Sequence, residues 1–203
     1  MRKLIAITQL TLDGVMQAPG GPEEDPSGGF AEGGWAMLFG DETIGKALRE
    51  IMAGEFDLVL GRRTYEIWAA YWPLAGDHFI GNAFNKATKH VVTRTLRRLD
   101  WANSHPVEGD VVDGIRRLKD ASGPELHVWG SSVLLQTLIA ADLVDEFRLW
   151  ICPVVLGKGK RLFENGLPPR SLTLVESRRT SKGVLLNTYR PTGPLPPRTP
   201  DSN

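Results

Sequence analysis

A single cysteine, Cys152, stands among 203 residues, which excludes an internal disulfide and a multi-thiolate zinc site. A reducing interior is the expected environment. No apolar run approaches the ~20 residues that a bilayer-spanning helix needs. Met1-Arg2-Lys3 leads straight into a strand-like Leu4-Ile5-Ala6-Ile7, so no leader segment is expected and the protein is read as cytoplasmic and free of the membrane. Net charge is missing too: 24 basic side chains balance 24 acidic ones, which argues against nucleic-acid binding through a uniformly basic surface while leaving room for a local patch. His78, His90, His105 and His127 show no i, i+4 spacing and no Glu-x-x-His pairing, so no metal site is expected. The Gly-x-Ser-x-Gly elbow of serine hydrolases is absent as well.

What the chain does have is enough apolar residue, 41%, to bury a substantial core at this length. Glycines number 22 and prolines 14, and they divide the chain into short elements without an internal repeat. Leu4 to Leu10 reads as a buried strand ended by Asp13-Gly14. A loop follows from Gln17 to about Gly40, with seven glycines from Gly20 to Gly40; a loop of this length is functional or disordered. Asp41 caps a helix with Ile44, Ala47, Leu48 and Ile51 at helical spacing. Strand-type runs at 56–60, 90–93, 125–129 and 146–155 alternate with helical patterns at 62–70, 111–118 and 133–139, and 171–177 with 184–189 reads as an antiparallel pair. The alternation predicts an α/β fold, three-layered α/β/α, with a mostly parallel twisted sheet and an antiparallel C-terminal edge. Residues 1–190 are expected to form one domain, and the proline-rich tail 191–203 to be disordered.

Three places bring a strand end, small residues and a helix start or arginine together: Gly61-Arg62-Arg63-Thr64, Thr93-Arg94-Thr95 and Gly130-Ser131-Ser132. Helix N-termini expose unsatisfied N–H groups and a partial positive charge, and an arginine beside them offers a two-pronged partner for a phosphate monoester. Each turn alone is no more than a tight turn and a cap. Together they suit one dinucleotide lying across the carboxyl ends of the sheet. Trp35 on the glycine-rich loop can line a pocket or anchor the loop. Gly157-Lys158-Gly159-Lys160 lacks the spacing of a Walker motif and reads as a basic turn after a strand.

The sequence resembles the dihydrofolate reductase superfamily, and within it stand-alone proteins similar to the reductase domain of the bifunctional riboflavin-biosynthesis enzyme. The resemblance runs from about Met1 to Pro191. It rests on Thr11-Leu12-Asp13-Gly14, Leu60-Gly61-Arg62-Arg63-Thr64-Tyr65, Val128-Trp129-Gly130-Ser131, Leu143-Val144-Asp145-Glu146 and Pro153 to Gly159 leading to Leu162-Phe163. It implies NADPH as cofactor, with Arg62 at the 2′-phosphate, Thr64 at the pyrophosphate, Thr93 and Arg94 at the adenosine end, and Gly130 and Ser131 against the pyrophosphate; Gly61, Arg63 and Ser132 complete those turns. Asp13 and Gly14 would stand beside the nicotinamide, and Asp41 is where folate reductases set a substrate-holding carboxylate, though as a helix cap it has a simpler role. Trp129 and Thr8 or Gln9 replace the Glu and Lys of riboflavin-pathway reductases. The implied activity is hydride transfer to a C=N or C=O carbon of a small pterin- or aminopyrimidine-like heterocycle, similar to 5-amino-6-(5-phosphoribosylamino)uracil reductase, by a homodimer. The alternative is a non-catalytic nucleotide-binding module or scaffold on the same fold.

Overall fold

A computed structural model describes residues 1–164 and 166–196. Its elements are β1 (Leu4–Thr11), α1 (Glu42–Met52), β2 (Phe56–Gly61), α2 (Arg62–Tyr71), α3 (Phe79–Lys86), β3 (Lys89–Val92), β4 (Ser104–Pro106), α4 (Val111–Asp120), β5 (Glu125–Trp129), α5 (Ser132–Ala140), β6 (Glu146–Cys152), β7 (Arg170–Arg179) and β8 (Leu185–Pro194). The strands form one sheet in the order β4-β3-β2-β5-β1-β6-β8-β7. The pairs from β4 to β6 are parallel, whereas β8 runs antiparallel to both β6 and β7. The expected α/β architecture with an antiparallel edge is therefore the observed one.

Alternation along each strand sends side chains to opposite faces of the sheet, and the two faces have separate cores. Leu4, Ala6 and Leu10 of β1, Val59 of β2, Leu126 and Val128 of β5 and Phe147 and Leu149 of β6 pack under α4 and α5 through Ile115, Leu134, Leu135 and Leu138. On the other face, Phe56, Leu58 and Leu60 meet Tyr65, Phe84 and Trp101, with Trp68 and Trp72 alongside. Trp150 and Cys152 meet Ile44 and Ala47 of α1. Two helix starts are fixed as their sequences demand: the Asp41 carboxylate accepts from the Ile44 amide at 3.0 Å, and that of Asp110 from Val112 and Asp113.

Three boundaries differ from the sequence reading. Helix α3 and the three-residue β4 carry weak patterns and were not expected. Strand β6 stops at Cys152, because Pro153 follows and the Val154 amide turns back to the Cys152 carbonyl at 2.8 Å. At the other end β8 continues through Pro194, so the first residues of the tail expected to be disordered are strand: Pro191 is in register with Leu172 and Pro194 with Arg170. Proline is tolerated there because β6 pairs with β8 only as far as Tyr189, leaving that side of β8 without a ladder to interrupt. Residues 197–203 of the tail lie outside the described ones.

His127 on β5 is 3% exposed and lies face to face with Phe56, ring centroids 4.6 Å apart. Among the described residues neither ring nitrogen has a hydrogen-bond partner, and the carboxylate oxygen beside it, Glu125 Oε2, is 3.6 Å away. Burial, with the positive charge of Arg148 adding to it, lowers its pKa to about 3. Between pH 6.5 and 3 the unfolded chain thus binds a proton that the folded one refuses, and stability must fall as pH falls. His127→Leu is expected to flatten the pH dependence of urea-unfolding free energy across this window by about 1.4 kcal/mol per pH unit. Parallel pH profiles for parent and variant would remove His127 as the cause.

Candidate functional site

The chain leaves β2 toward β3 but leaves β5, its parallel neighbour, toward β6, which crosses over β1. Adjacent strands whose connections depart in opposite directions open a crevice at their carboxyl ends. Here the crevice is bordered by two helices that start immediately, α2 after Gly61 and α5 after Ser131, and neither start has a side-chain cap. Their first-turn amides are left facing the crevice rim, where an anion suits both the N–H groups and the aligned dipoles.

The two turns are laced together. Ser131 Oγ accepts from the Gly61 amide at 3.0 Å and shares a hydrogen bond with Thr64 Oγ1 at 2.9 Å. Gly130 (φ +59°) and Ser131 (φ +57°) are both left-handed. A Cβ placed on Gly130 would meet only Thr64 Oγ1, at 3.9 Å, in otherwise open space. The space beside Gly130 is thus open and is bordered by the Thr64 hydroxyl. The third turn joins from β3: Arg62 donates to Thr95 Oγ1 at 3.4 Å, and Thr93 Oγ1 accepts from the amides of Thr95 and Leu96. Arg62 and Arg94 are exposed and have no ion-pair partner among the described residues. Arg63 points elsewhere, 3.8 Å from Asp25 on the glycine-rich loop. Ser132 is the first residue of α5. Gly61, Arg62, Thr64, Thr93, Arg94, Gly130, Ser131 and Ser132 are thus gathered at one sheet edge.

Both candidate acids have other work. The Asp13 carboxylate accepts from Thr11 Oγ1 at 2.6 Å and from the amides of Leu156 and Gly157, and Arg161 pairs with it at 3.4 Å. The hydroxyl and amide donors hold its pKa at about 2, so it is an anion that ties the end of β1 to the segment after β6. Gly14, left-handed at φ +82°, closes that turn. Asp41 caps α1 and also accepts from the amide and hydroxyl of Ser181 at 2.8 and 2.7 Å. Its pKa is likewise lowered to about 2, first by the Ser181 hydroxyl. It clamps α1 to the β7–β8 turn.

Of the two readings of Trp35, lining a substrate pocket or anchoring the loop, the contacts support the second. The residue is buried and its Nε1 donates to the Gln17 carbonyl at 2.8 Å, so it anchors the loop. Gln17 is a hub that sequence reasoning missed: its amide nitrogen donates to the carbonyls of Asp25 and Ser27, and its oxygen accepts from the Lys160 amide. Lys160 reaches Asp25 at 2.7 Å and Ser27 at 2.8 Å. Nothing local marks Gln17 as the link between the two segments, because Lys160 comes from 143 residues away. The basic turn expected at 157–160 is therefore the surface against which the glycine-rich loop is seated.

Sheet order, crevice and paired helix starts define the dihydrofolate reductase-like fold. A dihydrofolate reductase from Enterococcus faecalis, solved with NADP(H) and RAB-propyl, matches it with a TM-score of 0.59 at 18% identity over 94% of this chain and 96% of that one. A Shewanella sp. PV-4 protein assigned to riboflavin biosynthesis matches with a TM-score of 0.70 at 21% identity, over 94% of this chain and 99% of that one. The chain belongs to the RibD C-terminal domain family, whose profile matches residues 2–186. It is similar to two uncharacterized proteins of Bacillus subtilis strain 168. YyaP is 29% identical over 93% of this chain and 94% of its own length. YwjB is 31% identical over 36% of this chain and 42% of its own.

Asp13→Asn keeps the shape but loses the charge that four donors converge on. It is expected to lower stability at pH 7 by about 2 kcal/mol, measured by urea denaturation. A variant as stable as the parent would detach Asp13 from this structural role.

Proposed function

We propose that this protein is a cytoplasmic NADPH-dependent reductase that delivers a hydride to a C=N or C=O carbon of a small pterin- or aminopyrimidine-like heterocycle. The observation that carries the reading is the pair of uncapped helix starts joined through Ser131 and Thr64, with the open space at Gly130 between them. Thr64, Gly130 and the first amides of α2 and α5 would hold the pyrophosphate. Arg62, with Thr93 and Arg94 beside it, would take the adenosine end and its 2′-phosphate. NADPH supplies the hydride when bound; the chain's own residues bind and orient. Family membership and the NADP(H)-bound structural relative support the assignment, and the buried single thiol Cys152 agrees with a reducing compartment.

A second reading, a nucleotide-binding module without catalysis, draws on one observation: Asp13 and Asp41, the acids nearest in sequence to the expected nicotinamide and substrate positions, are both committed carboxylates. NADPH consumption on a panel of pterins, pyrimidines and imines separates the two. Binding without turnover on any member would favour the module.

The assembly expected with this function is a homodimer. Strand β7 is the outermost of the sheet and ten residues long, and it exposes Leu172, Leu174 and Val175. A long apolar edge of this kind is left open only at a cost in solubility, and a second copy covers it best.

Two measurements test these proposals. Arg62→Ala should weaken NADPH roughly tenfold or more while leaving NADH nearly unchanged, because a guanidinium–phosphate contact contributes about 1.5–3 kcal/mol; equal affinity of the parent for both cofactors would remove the 2′-phosphate assignment. Light scattering at micromolar concentration should return twice 22.4 kDa, and a monomer mass would end the dimer.

A further inference from the structure

Helix α1 covers only part of the sheet face on which it lies. Along β6, Glu146, Arg148, Trp150 and Cys152 alternate onto that face. Ile44 and Ala47 of α1 pack on Trp150 and Cys152, whereas Glu146 and Arg148 lie beneath an open cavity of about 340 Å³. Glu50 and Ile51 of α1 border it on one side, and Leu186, Thr188 and Arg190 of β8 with Arg178 of β7 on the other. The crevice at the carboxyl ends of β2 and β5 lies on the far side of β1.

The floor of this cavity sets two guanidiniums against one carboxylate. Glu146, 4% exposed, accepts from Arg148 Nε at 2.9 Å and from Arg190 Nε and Nη2, both at 3.1 Å. Among the described residues Arg148 is bonded through Nε alone, which leaves the two nitrogens at its tip as a planar fork of the kind that matches a carboxylate. The rim is balanced: Arg178 pairs with Glu50 at 3.0 Å and with Glu176 at 3.1 Å, and Lys3 adds a second cation against those two acids. The lining therefore carries four cations and three carboxylates, and the surplus positive charge belongs to the floor. We propose that the cavity binds a small monocarboxylate with an apolar body, its carboxylate on the Arg148 fork and its body against Ile51, Trp150 and Leu186. The charge count selects this class. A phosphate dianion would bring two negative charges among Glu50, Glu146 and Glu176, whereas one carboxylate completes the balance. The volume stands near the lower end of small-molecule pockets, which suits a body of about one ring.

Calorimetric titration of the full chain with benzoate tests this. Saturable binding at one site per chain is expected, tighter than that of acetate, which lacks the apolar body, and tighter than that of inorganic phosphate. Arg148→Met should weaken benzoate roughly tenfold or more by removing a charge-assisted, two-pronged contact. Thr188 stands in register with Arg148, so Thr188→Phe fills the space beside the fork and leaves every ion pair in place. It should weaken benzoate to a similar extent, which keeps the test decisive if Arg148→Met folds poorly. Arg62→Ala should bind benzoate as the parent does, because Arg62 belongs to the crevice. The proposal is overturned if the parent shows no saturable binding, if phosphate or acetate binds as tightly as benzoate, or if either folded cavity variant binds as the parent does. Loss of benzoate in Arg62→Ala would overturn it too, by moving the site to the crevice.

Discussion

The parallel pairing of β2 with β5 is the contact on which the rest of the structure depends. Leu58 stands in register with His127 across it, at the centre of a sheet buried on both faces, and parallel neighbours must be joined by crossovers rather than hairpins. Once the chain leaves these two strands in opposite directions, two helices have to begin side by side at one edge. Their first amides cannot be satisfied by the sheet, which is used up at that level. One of the strand-end amides, Gly61, is satisfied by Ser131, and the others are left for water or a ligand. The crevice, and with it the place proposed for an anion, is therefore a consequence of topology before any particular side chain is chosen. Arg62, Thr64 and Gly130 refine a place that the strand order has already made.

The fold was largely legible because each core strand alternates or runs apolar, and because α1 and α4 carry both an apolar stripe and a capping aspartate. Asp41 and Asp110 announce their helices from sequence, and both do what capping residues do. The three turns were legible for the same local reason: a glycine or small residue between a strand and a helix has few other uses. What stayed hidden depends on partners far along the chain. No pattern near Gln17 tells that Lys160 will arrive to meet it. Proline at 191 and 194 signals disorder locally, but β7 pairs with those residues and overrides the signal.

The glycine-rich loop shows how composition misleads about motion. Glycine permits flexibility, yet here it permits close approach: a Cβ on Gly33 would lie 2.3 Å from the Pro22 carbonyl oxygen, and one on Gly159 would lie 2.6 Å from Val15 Cγ1. Phe30, Trp35 and Ala36 from this loop are buried with Val15 and Ala18 in the same core cluster as Ile44, Trp150 and Cys152. The loop is seated by packing and by the contacts of Gln17 and Lys160, and any opening over a substrate has to break them together.

The carboxylates carry the same lesson into chemistry. A group that is to donate a proton near neutral pH needs its charged form disfavoured, by burial or by a neighbouring negative charge. Asp13 and Asp41 have the opposite surroundings, amide and hydroxyl donors that hold both near pKa 2. Glu24 on the loop has the right kind of surroundings, since burial raises its pKa, but its oxygen is already held by the Gly20 amide at 2.6 Å. Among the described residues the crevice rim therefore offers donors of hydrogen bonds, from the Thr64 hydroxyl, the first-turn amides and arginine, rather than an acid poised to protonate. A rim of that composition suits the anionic cofactor proposed for it. For the hydride transfer proposed on this scaffold, the contribution that these described groups suit is orientation.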